Sequence, residues 1–157
     1  MKHVKYEELS KQQKKLLDAA AQVMENAYSP YFKFFVGAAI LTQDGEIFVG
    51  TNFEEAAGSS ICAERAAILS ANSNGKRMYK SIAIIARGEN YDTTEPTGPC
   101  GSCRQMLYEE SQVSGRDLEI ILSTTKKDNI IITSINKLLP YAYGPLNMGI
   151  DISKYRK

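Results

Sequence analysis

The sequence predicts an α/β domain in which a mixed β-sheet is covered by helices on both faces. Segments of helical period alternate with short β-branched or aromatic runs in the order α-β-β-α-β-α-β-β-α. One run, Ser81 to Arg87 (Ser-Ile-Ala-Ile-Ile-Ala-Arg), is too continuously apolar for a surface strand and belongs at the sheet centre. No internal repeat, low-complexity tract or Pro/Gly-rich linker divides the chain, so residues 1–157 are read as one domain.

Taken in order, Ser10-Lys11-Gln12-Gln13 has the form of a capping box and starts the first helix. Leu16, Leu17, Ala20, Val23, Met24 and Ala27 recur along it at helical spacing, and Ser29-Pro30 breaks it. Phe35 to Thr42 and Ile47 to Asn52 form a hairpin around Gln43-Asp44-Gly45-Glu46, where Asp-Gly tolerates positive φ. A helix from Cys62 to about Asn74 ends at Gly75, a left-handed stop. After the Ser81–Arg87 strand and a polar loop, 88–99, a helix runs from close to Cys100 to about Ser111. Leu118 to Ser123 and Ile130 to Thr133 are the last strands. Ser134 is the expected cap of a short helix, Ile135 to Leu139, stopped by Pro140, with an irregular tail from Tyr141.

Composition narrows the function. With 43% apolar and 24% charged residues and a formal charge of +1, the chain is that of an ordinary globular protein. No electrostatic footprint for a nucleic-acid backbone or an anionic membrane is present. The N-terminus lacks the apolar stretch of a signal peptide, and no run approaches the roughly 18 apolar residues that span a bilayer. The expectation is a cytoplasmic protein. Three cysteines, two of them in a Cys-x-x-Cys pair, then read as metal-binding or redox-active rather than as structural disulfides.

Two stretches carry the chemistry, Cys62-Ala63-Glu64-Arg65 and Pro99-Cys100-Gly101-Ser102-Cys103-Arg104. Each places cysteine at a helix start, where unpaired amides and the helix dipole favour thiolate. Three thiolates suit one tetrahedral Zn²⁺ and leave its fourth position for water, the mark of a catalytic site. The only histidine, His3, lies in an N-terminus expected to fray, so no histidine ligand is expected. Glu64, two residues after Cys62, is placed to exchange protons with a water whose pKa zinc lowers to about 7. Cys or His, then x-Glu, then Pro-Cys-x-x-Cys is a known pattern of zinc nucleobase deaminases. A thioredoxin-like redox pair is the rival for Cys100 and Cys103, and a solvated dipole partner the rival for Glu64. Arg65 is either a surface residue or a charge partner for the thiolates.

The chain resembles the homotetrameric cytidine deaminases. The resemblance runs through Ser29-Pro30-Tyr31-Phe32-Lys33-Phe34-Phe35-Val36-Gly37-Ala38-Ala39, Asn52-Phe53-Glu54, both cysteine stretches, and Leu138-Leu139-Pro140-Tyr141-Ala142-Tyr143-Gly144-Pro145. It implies a three-layer α/β/α fold with a five-stranded mixed sheet and one zinc ion per subunit. It also implies conversion of cytidine and deoxycytidine to the uridines with loss of ammonia, in pyrimidine salvage. By the same resemblance Phe34 packs against the pyrimidine, Asn52 and Glu54 bind the ribose, and the Ala63 backbone meets the base. Tyr143 takes the position of an aromatic inserted into a neighbouring subunit's site. Core packing for Phe34, a turn Asn and solvated Glu at a strand end, and a tail aromatic for Tyr143 are the plainer alternatives.

The family's Asn-x-Glu-Asn-Ala-x-Tyr is altered here: Glu55 stands for the second Asn, Gly58 for Tyr, and the segment is one residue short. Phe32 and Phe35 replace smaller or more polar residues, with an altered pocket shape as the consequence. The rivals are a blasticidin S deaminase, which shares the cysteine core, and a non-catalytic zinc-binding domain. Polynucleotide editing lacks a basic stripe or an aromatic platform. The expected ligand is therefore a small pyrimidine nucleoside, with no nucleic-acid or membrane partner.

Overall fold

The computed structural model describes residues 1–157. Its six strands form one sheet in the order β1-β6-β5-β4-β2-β3, where β1 is Lys2–Val4, β2 Phe34–Thr42, β3 Ile47–Thr51, β4 Tyr79–Gly88, β5 Glu119–Ser123 and β6 Ile130–Ser134. Only β4 and β5 run parallel. A parallel pair needs a crossover, and helix α3 (Gly101–Ser114) supplies it.

Alternation along the strands sorts the core into two layers. Ala39, Leu41, Ala83, Ile85 and Ile121 face α1 (Lys11–Met24) through Leu16, Leu17, Ala20 and Met24. Ala38, Ile40, Ile82, Ile84, Ile120 and Leu122 face the other way, onto α2 (Ala63–Ser73), α3 and the short α4 (Ile135–Leu138). The result is a three-layer α/β/α sandwich. Buried on both faces, β4 is central, as its unbroken apolar run predicts.

Two glycines set how closely helices approach the sheet. A Cβ on Gly37 would lie 2.0 Å from the Ala20 carbonyl oxygen of α1; one on Gly50 would lie 2.3 Å from the Ala67 amide of α2. Helix α2, with Cys62 at its start, thus lies directly on β3.

Most expected boundaries hold. Ser10 closes its capping box, accepting from the Gln13 amide at 3.2 Å while its own amide donates to Gln13 Oε1 at 2.9 Å. Gly45 (φ 94°) turns the hairpin and Gly75 (φ 77°) ends α2. Four expectations need correction. The sheet has six strands, not five, because the N-terminus does not fray: Lys2–Val4 pairs with Ile130–Ile132, and His3 faces Asn129. Helix α3 runs on to Ser114 and stops at Gly115 (φ 67°). Ser134 sits before α4 without capping it, and Asp117 Oδ1 accepts the Asn136 amide instead. The tail contains two 3₁₀ turns, Pro145–Met148 and Ser153–Tyr155.

Candidate metal centre and substrate cavity

Cys62 is the N-cap of α2 and Cys100 the N-cap of α3, with Cys103 in the first turn of α3. The strand order brings these helix starts together. Cys62 Sγ and Cys100 Sγ are 4.0 Å apart, and all three sulfurs lie within 4.8 Å of one another. Sulfurs about 2.3 Å from a tetrahedral zinc stand roughly 3.8 Å apart, so the donor set and its spacing fit one zinc ion. The Cys103 amide donates to Cys100 Sγ at 3.4 Å. Thiol hydrogen bonding from Cys103 draws the Cys62 pKa down to about 6 against the effect of burial, with Cys100 and the Arg65 charge assisting. Cys103, buried and donating to Cys62, is pushed up.

Arg65 spans the two helices, its Nη2 donating to Ser102 Oγ at 2.7 Å, while its Nε is buried without a partner. Arg104 fixes the approach to α3 by donating to the carbonyls of Pro99 (2.9 Å) and Leu138 (3.1 Å).

A cavity of about 300 Å³ opens beside the sulfurs. Phe34, Asn52, Glu54, Cys62, Ala63, Glu64 and Cys100 line it together. Glu64, in the first turn of α2, is 5% exposed. Burial raises its pKa to about 7; its own amide opposes the rise and the Cys62 charge adds to it. Asn52 is held at both ends, Nδ2 donating to the Phe34 carbonyl (2.9 Å) and Oδ1 accepting from the Val36 amide (2.8 Å). One amide hydrogen and one lone pair of its side chain stay free.

The altered loop after β3 closes on itself. Phe53 and Ile61 exchange backbone hydrogen bonds across its neck at 3.0 and 2.9 Å. Glu55 accepts from the amides of Ala57 (3.0 Å) and Ser59, and Gly58 has φ 85°. Carboxylate and glycine thus do structural work in the shortened loop.

Tyr143, expected to enter a neighbouring subunit's site, does not line its own chain's cavity; it is 62% exposed and held by Gln105 Nε2 donating to its carbonyl at 2.7 Å. Phe35 also lies elsewhere: it packs on the α1 side under the Arg87 guanidinium, 4.7 Å from its ring centroid, because neighbours along a strand face opposite ways. Phe32 does line the cavity. Sequence reasoning missed Val36, Ser60, Ile61, Ile84, Thr97 and Gly98 in the wall. It read Ser29 as a helix breaker and as the start of the resembling stretch but gave it no role at the site, although Ser29 Oγ donates to Glu54 at 2.7 Å.

A sandwich that gathers three cysteines fit for one zinc ion at two helix starts, with a buried carboxylate beside them, defines a zinc-dependent hydrolase of the deaminase class. Residues 10–114 match the family model for the cytidine and deoxycytidylate deaminase zinc-binding region. The chain is 42% identical over 130 residues to a cytidine deaminase of Sporosarcina psychrophila, covering 82% of this chain and 89% of that one. A cytidine deaminase of Halalkalibacterium halodurans is 40% identical over 129 residues, with 82% and 91% covered. The crystal structure of cytidine deaminase from Burkholderia pseudomallei superposes with a TM-score of 0.75 at 37% identity, covering 86% of this chain and all of that one. The chain belongs to the cytidine deaminase family.

Proposed function

We propose that the chain, working as one catalytic domain, deaminates cytidine and deoxycytidine hydrolytically to uridine and deoxyuridine, releasing ammonia as a step of pyrimidine salvage. The observation that carries this is one cavity lined jointly by Cys62, Cys100 and Glu64 and by Phe34, Asn52 and Glu54. No lysine or arginine lines it, and two carboxylates do. A neutral nucleoside is favoured over its phosphate ester, whose charge those carboxylates repel.

Cys62, Cys100 and Cys103 would hold a zinc ion, which would supply the Lewis acidity that makes water a nucleophile near neutral pH. Glu64 takes a proton from the attacking water and delivers it to ring N3, which makes C4 electrophilic. It then takes the proton of the new C4 hydroxyl and passes it to the departing amine, so the C4–N bond breaks as the C4 carbonyl forms, water enters and ammonia leaves. Phe34 packs against the pyrimidine, and the Ala63 backbone meets the base edge, its methyl leaving room. Asn52 and Glu54 receive the ribose and hold C4 in place. Arg65 offsets the net negative charge of three thiolates on a divalent ion.

Tyr143, exposed on an anchored tail, completes the site of a neighbouring subunit in a homotetramer. No helix is long and apolar enough to cross a membrane, and three free cysteines suit the reducing cytoplasm.

The test is an ammonia-release assay over cytidine, deoxycytidine, cytidine monophosphate and blasticidin S, with zinc quantified and light scattering recorded on the same preparation. We expect turnover of the two nucleosides, one zinc per chain and a tetramer. Zinc-loaded protein that leaves both nucleosides intact refutes the activity; a fully active monomer refutes the role of Tyr143.

A further inference from the structure

The turn that leads into β2 is built around a buried carboxylate. The Ser29 carbonyl accepts from the Lys33 amide at 3.2 Å, and Lys33 takes φ 54° to swing the chain into the strand. The Glu54 side chain, 25 residues away and 4% exposed, fills this turn. Ser29 Oγ donates to its Oε1 at 2.7 Å, the Tyr31 amide to its Oε2 at 2.8 Å, and the Phe32 amide is shared between both oxygens at 3.3 Å. Two carboxylate oxygens offer about four acceptor sites, so these donors leave room for about one more. Glu54 also lines the substrate cavity. Its remaining lone pair points wherever the turn aims it.

Ser29 does more than hold one oxygen. Its hydroxyl, 3% exposed, accepts from the Phe34 amide at 3.2 Å while donating to Glu54. One buried hydroxyl therefore couples the carboxylate facing the sugar to the backbone of the aromatic facing the base. We propose that Ser29 is a positioning residue for sugar recognition, setting the orientation of Glu54 and the register of Phe34 with a single hydroxyl. This rests on the reading of the cavity as a nucleoside site and adds to it which buried group decides how the sugar hydroxyls are read.

The experiment compares cytidine with its 2′-deoxy, 3′-deoxy and 2′,3′-dideoxy analogues in wild type, Ser29→Ala and Ser29→Thr. In Ser29→Ala one strong donor to a carboxylate is lost, so kcat/KM for cytidine falls about tenfold, chiefly through KM. The analogue lacking the hydroxyl that Glu54 receives is nearly unaffected. Ser29→Thr, which keeps the hydroxyl, restores most of the loss. An equal fall on all four substrates reveals a general packing effect and overturns the proposal, as does an unchanged Ser29→Ala. Should that variant fail to fold, Ser29→Cys, similar in shape with a weaker donor, gives the same ratio test. Wild type turning over cytidine and dideoxycytidine equally also sinks the role of Ser29 but leaves deamination standing; failure on cytidine itself sinks the proposed activity.

Discussion

At the scale of single residues, Glu64 occupies a place no structural need explains. It is 5% exposed at a helix start and lines a cavity shared with two of the three thiols. If its task is proton transfer, Glu64→Gln keeps the shape and removes the basicity. Turnover is then expected to fall on the order of 10³-fold with zinc content unchanged. Retained turnover, or zinc lost in parallel, removes Glu64 from the chemistry. The cysteines and Glu64 were legible in the sequence because one reaction demands those residue types at those spacings. Ser29 was not, since its partner lies 25 positions away and only the turn from Ser29 to Lys33 brings the two together. Phe35 was misjudged as a pocket neighbour because alternation along β2 turns it to the face opposite Phe34.

Among the elements, α2 matters most because Cys62 caps it and Glu64 rides on its first turn. Its height above the sheet is set at Gly50, where an added Cβ meets the backbone of Ala63, Ala66 and Ala67 rather than a yielding side chain. Gly50→Ala is expected to lift α2, costing about 1–3 kcal/mol of stability and weakening zinc retention, seen as a lower Tm and less zinc after dialysis. A variant with wild-type Tm and full metal content refutes this account of helix placement. The elements with strong periodicity, α1 and the central β4, were legible; β1 was not. Three residues carry no readable period, and Lys2–Val4 becomes a strand only because β6 offers an edge to pair with. The end of α3 was placed early because Ser111 and Ser114, ordinarily poor helix formers, are buried against the fold there.

For the molecule as a whole, Glu110 on α3 stores a pH-dependent cost. One of its carboxylate oxygens is buried without a partner; burial and the neighbouring Glu109 raise its pKa to about 7, and the Arg77 charge only partly opposes them. Buried Tyr79 feels the same carboxylate and is shifted upward by burial and by Glu110. With a folded pKa above the unfolded one, the folded state keeps a proton that the unfolded chain releases. Stability is full below about pH 4.5 and declines as pH rises to about 7. Glu110→Gln is therefore expected to gain about 1–3 kcal/mol at pH 8 and nothing at pH 4, read from paired denaturant titrations. An equal gain at both values points to packing instead. A last consequence follows from the thiols' belonging to two helices that lie on either side of the central strand in the sequence. An ion bridging them binds the native chain more tightly than the unfolded one, so heat resistance rises with free metal. Two batches differing only in chelator will then melt at different temperatures, and a melting point quoted without its metal activity describes the buffer as much as the polypeptide.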